Sequence, residues 1–106
     1  MDALRVRRMK RYANFIGGQY SGAASGKTFT TLNPADAREV VAEYPQSGQA
    51  EAASAYAAAR EAYPKWAAMT PVARGRVLSK ASQLLEAQKA DLAELLTREE
   101  GKTLTE

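Results

Sequence analysis

The segment Gly22-Ala23-Ala24-Ser25-Gly26-Lys27-Thr28 has the residue types of a phosphate cradle. In a P-loop, backbone N–H groups between two glycines surround the phosphates and a lysine neutralises them. That geometry needs four residues between the first glycine and Gly-Lys-Ser/Thr. Here there are three, and the position before Gly22 is Ser21. The cradle also has to open a helix, whose N-terminus holds the anion. The next residues, Phe29-Thr30-Thr31-Leu32-Asn33-Pro34, are instead a β-type run and then a break. A Gly/Ser turn between two short strands fits these residues better than a nucleotide site.

Other chemistry is scarce. The sequence contains no cysteine and no histidine. This removes thiolate nucleophiles, disulfides, the usual zinc ligands and the commonest general base near neutral pH. Asp36, Glu39 and Glu43 fall in the β-type region, and Glu99 and Glu100 beside Gly101 near a helix end. No spacing in the sequence gives any of them an acid/base partner, so they read as isolated surface acids. The expected set of catalytic, cofactor-binding and metal-binding residues is therefore empty, and no metal is expected.

The chain has 106 residues, enough for one modest domain, with 45% apolar and 25% charged residues. Its net charge of +3 is concentrated at one end. Arg5, Arg7, Arg8, Lys10 and Arg11 face Asp2 alone, which marks residues 1–11 as a basic, disordered tail. Such a tail can attract nucleic acid or an anionic surface. Tyr12 is the only aromatic near those charges, so a stacking platform for bases is not indicated and no nucleic-acid partner is expected. No apolar run approaches the ~20 residues of a membrane span, and no signal-peptide core is visible. A cytoplasmic protein without a membrane partner is the expectation.

Elements to position any site can be read from pattern. Short strands are expected within about 14–44: Asn14–Ile16, Gln19–Tyr20, Thr28–Leu32 and Glu39–Tyr44. Gly17-Gly18 supplies the first turn and Asn33-Pro34 stops the third strand. Strands this short need a partner surface. From Ser47 the apolar period becomes helical. Ala52, Tyr56, Ala59, Tyr63 and Trp66 share one face and read as a core stripe. Ser47 is the expected N-cap, and Pro64 should end or kink this helix at about 48–63. Thr70-Pro71 opens a second helix over 71–87. A phase slip at Gln88 to Asp91 starts a third over 89–100, closed by Gly101 as a left-handed cap. Alanine dominates Ala50 to Ala93, which favours helix but contributes little buried area.

Several pieces resemble the opening of aldehyde dehydrogenases. Asn14-Phe15-Ile16-Gly17-Gly18-Gln19-Tyr20 is similar to the family's F-I-x-G-x-W, with tyrosine for tryptophan. Gly26-Lys27-Thr28-Phe29 comes next, and Leu32-Asn33-Pro34-Ala35 resembles its x-N-P-A turn. Ala57 to Trp66 resembles A-x-x-A-F-P-x-W, with Tyr63 for phenylalanine. Arg74-Gly75-Arg76-Val77-Leu78 resembles R-x-x-x-L, and Glu100 to Leu104 resembles E-x-G-K-x-L. They keep the family's order and spacing across residues 14–106, and their flavour is that of bacterial semialdehyde dehydrogenases.

The resemblance implies a parent reaction in which an aldehyde or semialdehyde is oxidised to the acid and hydride passes to NAD or NADP. A cysteine thiolate, a glutamate and an asparagine-lined oxyanion hole perform it, all downstream of Glu106 in such proteins. This chain alone is thus expected to be inactive and to bind no cofactor. The resemblance implies an α+β fragment of the larger α/β fold. Residues 12–106 would be an incomplete N-terminal part of the cofactor-binding and oligomerisation region. The expected partner is the rest of the dehydrogenase fold or a homo-oligomer. Ending at Thr105-Glu106 would cut the next helix at its start. The alternative is a standalone helical interaction module that binds a partner through its apolar stripe.

Overall fold

The computed structural model describes residues 9–105. Arg5, Arg7 and Arg8 of the basic segment lie outside the described residues. Lys10 and Arg11 do not continue a tail. They form strand β1 (Lys10–Arg11), parallel to β5 (Asp36–Pro45), with Lys10 opposite Ala42. Their backbone joins an existing strand edge, which composition alone does not reveal.

Strands β2 (Asn14–Ile16) and β3 (Gln19–Ser21) form an antiparallel hairpin. Gly17 and Gly18 sit at φ 58° and 81°, which L side chains rarely adopt. Strand β4 (Thr28–Asn33) pairs antiparallel with β5 through the turn at Pro34-Ala35, and the sheet order is β1-β5-β4. Asn33 Oδ1 accepts from the Ala35 N–H at 2.9 Å and shapes that turn. β5 starts at Asp36 rather than Glu39 because the turn is this tight.

Helix α1 runs over Gln49–Ala68 and passes through Pro64 instead of ending at Tyr63. Proline deprives only the Arg60 carbonyl of its partner. No residue of α1 is buried, so water can reach that carbonyl. The N-cap is Gly48, not Ser47. The Ser47 hydroxyl is engaged by Asn14, donating to Oδ1 at 3.1 Å and accepting from Nδ2 at 2.8 Å. Glu51 takes over the capping, accepting from the Gly48 N–H at 2.7 Å.

Helix α2 (Pro71–Ala87) begins as its sequence dictates, with Thr70 Oγ1 accepting from the Ala73 N–H at 3.2 Å. Helix α3 (Lys89–Glu100) starts after the single residue Gln88 and closes at Gly101 with φ 82°. The strands-then-helices order and the two later helices agree with expectation.

The core is very small. Val41 and Ala42 in β5 are the buried hydrophobics among the described residues. The α1 stripe is not core: Tyr56 and Tyr63 are 67% and 66% exposed, and Trp66 is 36% exposed. α1 approaches the hairpin through an alanine, with Ala58 Cβ 3.8 Å from where a Cβ on Gly17 would stand. Close approach through small residues leaves the large ones outside. The accessible surface is 9072 Å², against about 5,800 Å² for a compact monomer of this mass. The radius of gyration is 17.8 Å, against about 13 Å for a compact domain of this length.

Candidate functional site

The Gly22–Thr28 loop is occupied by its own protein. Glu51, in the first turn of α1, accepts the Ala24 N–H at 2.6 Å as well as that of Gly48. The Gly26 N–H donates to Ala23 O at 2.9 Å, and the Lys27 N–H to Ser25 Oγ at 3.2 Å. A phosphate would meet spent donors and a carboxylate in their midst. The backbone N–H donors, Gly48 first and then Ala24, hold the Glu51 carboxyl below its ordinary pKa. It therefore stays charged and repels anions near neutral pH. Glu51 was not singled out from the sequence. Its spacing three residues after the cap is the capping-box signal, but the bond to Ala24 spans 27 positions.

The carboxylates are not isolated. Glu99 Oε1 accepts from the Tyr44 hydroxyl at 2.9 Å and from the Thr31 hydroxyl at 3.0 Å. Arg98 reaches Glu39 through Nε at 2.8 Å and through its terminal nitrogen at 2.6 Å. Asn33 Nδ2 adds a bond to Glu39 at 2.7 Å. Adjacent residues of α3 thus fasten the helix to both strands of the β4–β5 hairpin. Burial, then the Glu99 hydrogen bond and charge, push the Tyr44 phenol up to about 12.

Glu43 accepts from Thr28 Oγ1 at 2.7 Å and pairs with Arg11 at 2.7 Å. The Thr28 bond is the main reason its carboxyl sits below the usual range, and Arg11 adds to it. Asp36 forms a two-pronged pair with Arg38, at 2.8 and 2.9 Å, which lowers its carboxyl. Glu43 and Asp36 accept hydrogen bonds that hold them ionised. Among the described residues the partners of Glu99, Glu39, Glu43 and Asp36 include the hydroxyls of Thr28, Thr31 and Tyr44, the Asn33 amide and the guanidinium groups of Arg11, Arg38 and Arg98, so the arrangement joins elements of the fold. Among the described residues, no group of three or more His, Cys, Asp or Glu side chains could hold a metal ion. No described helix is long and apolar enough to cross a membrane.

What the geometry does offer is surface. One face of α1 presents Tyr56, Tyr63 and Trp66. α2 exposes Val72, Val77, Leu78, Leu84 and Leu85. Leu92 and Leu96 of α3 border an open groove with Leu85 and Leu104. These large apolar side chains are exposed along the helices.

The sequence and the fold both match known proteins. The sequence pattern of the aldehyde dehydrogenase family matches residues 20–106. An NAD-dependent aldehyde dehydrogenase from Sinorhizobium meliloti superposes with a TM-score of 0.90 at 32% identity, over 97% of this chain and 21% of that one. A succinate-semialdehyde dehydrogenase from Burkholderia pseudomallei gives 0.86 at 34% identity, over 99% of this chain and 22% of that one. An NADP-dependent enzyme from E. coli gives 0.86 at 32% identity, over 91% and 20%. The chain spans about a fifth of the length of these structures.

Proposed function

This chain belongs to the aldehyde dehydrogenase family, and from that membership we propose that it is a scaffold segment of an NAD(P)-dependent dehydrogenase. Residues 12–106 serve as the N-terminal part of the cofactor-binding and oligomerisation region. The parent reaction is oxidation of an aldehyde or semialdehyde to the carboxylic acid. Both NAD-dependent and NADP-dependent proteins are among the similar structures, so either nucleotide suits this reading.

One observation carries it: the large side chains of α1 and α2 lie outside the core, which among the described residues is Val41 and Ala42. A fold of this size gains its stability by burying such side chains. Here that burial has to come from further polypeptide, and the matching structures are about five times longer. The reactive cysteine, the water-activating glutamate and the nucleotide contacts come from that remainder. This chain contributes no catalytic, cofactor or metal residue and does not turn over by itself. A homo-oligomer contact adds to the covering of the same faces.

The test is to read the source DNA past the codon for Glu106. An in-frame continuation with a cysteine-bearing motif supports the dehydrogenase reading. A stop codon there would sink it and leave the standalone interaction module, which would bind its partner through Tyr56, Tyr63 and Trp66.

A further inference from the structure

The groove between the end of α2 and α3 is bordered by Leu85, Leu92, Leu95, Leu96 and Leu104, with Glu99 on its wall. Two charges at its edge, Glu86 and Lys89, stand 3.9 Å apart and offset one another. Arg98, next to Glu99, is committed to Glu39. Glu99 takes both of its hydrogen bonds, from Tyr44 and Thr31, on Oε1. Among the described residues nothing donates to its Oε2. Glu99 is thus held by the sheet through one carboxylate oxygen while the residue lines an apolar groove.

An apolar segment seated on those leucines would strip water from Glu99 Oε2. A carboxylate losing water without a donor is strongly disfavoured, and a neutral donor leaves the charge uncompensated. A cation on the occupant both donates to that oxygen and compensates its charge, which neutral donors do only in part. We propose that this groove docks an apolar helical segment of the remaining dehydrogenase polypeptide that carries one lysine or arginine, paired with Glu99 Oε2. This rests on the scaffold reading and adds to it the chemistry of the covering segment.

Two synthetic helix-forming peptides test it, identical except that one position in a leucine face is lysine in the first and norleucine in the second. Binding to the full chain is followed by NMR shifts of the Leu85, Leu92 and Leu96 methyls, which locate it. The lysine peptide should bind about five-fold more tightly, the effect of one partly covered ion pair. In Glu99→Gln the preference should vanish. In Tyr44→Phe, which keeps the carboxylate, it should persist. Equal affinity of both peptides at these methyls, or a preference that survives Glu99→Gln, overturns the Glu99 pairing and leaves the covered-surface reading standing. Absence of shifts with either peptide counts against both.

Discussion

Tyr44 and Glu99 lie 55 positions apart in the chain and meet in a 2.9 Å hydrogen bond from the phenol to Oε1. With Arg98–Glu39 beside it, this bond fastens the last turn of α3 to the sheet. Little apolar area is buried there, so a charge-assisted polar contact carries much of the attachment. Such bonds contribute about 1 kcal/mol when partly solvated. Tyr44→Phe should therefore speed amide hydrogen exchange in α3 about five-fold, with α2 unchanged. Exchange in α3 that is unaffected would mean the helix docks without this bond.

The same pair has a pH signature. The Tyr44 phenol is raised to about 12, by burial first and then by Glu99. A folded-state pKa above the unfolded value means the neutral phenol favours folding. Its contribution is complete below about pH 10 and is lost as pH rises through about 12. Difference titration of phenolate absorbance, the chain minus Tyr44→Phe, should place this group near 12. Glu99→Gln should move it back toward the ordinary value. A Tyr44 that ionises at its ordinary value in the parent chain would contradict the contact.

Glu51 should act as an acid-sensitive staple. Its carboxyl is lowered by the N–H groups of Gly48 and Ala24. A depressed folded-state pKa favours the fold above the unfolded value. That contribution is lost as pH falls through the lowered one. Exchange at Ala24 and Gly48, corrected for the intrinsic pH dependence, should lose protection together on acidification. Glu51→Gln should show the loss already at neutral pH. Independent behaviour of the two amides would separate the loop from the cap.

Gly101 should tolerate no side chain. Its φ is 82°, and a Cβ there would stand 3.2 Å from Pro34 Cγ. Gly101→Ala should weaken α3 docking by about 1–2 kcal/mol, from the left-handed backbone alone. Exchange in the last turn of α3 reads this directly, and unchanged protection would refute it.

The termini of α2 and α3 were legible because their signals are local. Thr70-Pro71 and Gly101 each act on the turn they adjoin, and the phase slip at Gln88 is a property of the helix itself. The β2–β3 hairpin was legible from Gly17-Gly18 for the same reason, and Asn33-Pro34 marked the end of β4, though not its pairing with β5. Pro64 was misleading because a proline in a helix with no buried residue leaves a carbonyl that water can satisfy. The Tyr56–Tyr63–Trp66 stripe does share one face, but it is not core. Period reports which residues share a face, not whether this chain supplies the cover. Glu51, Arg98 and Glu99 stayed hidden as connectors because their partners are distant in sequence, and spacing carries no information about them.

The scaffold proposal has these residues covered by more of a dehydrogenase. Its most direct test is thermal unfolding of the purified 106-residue chain, with sedimentation to fix its state of association. A broad, weakly cooperative loss of helix signal, or association through the exposed faces, is expected. A sharp two-state transition in a monomer would contradict it, because the chain would then be stable with Tyr56, Tyr63 and Trp66 left in water.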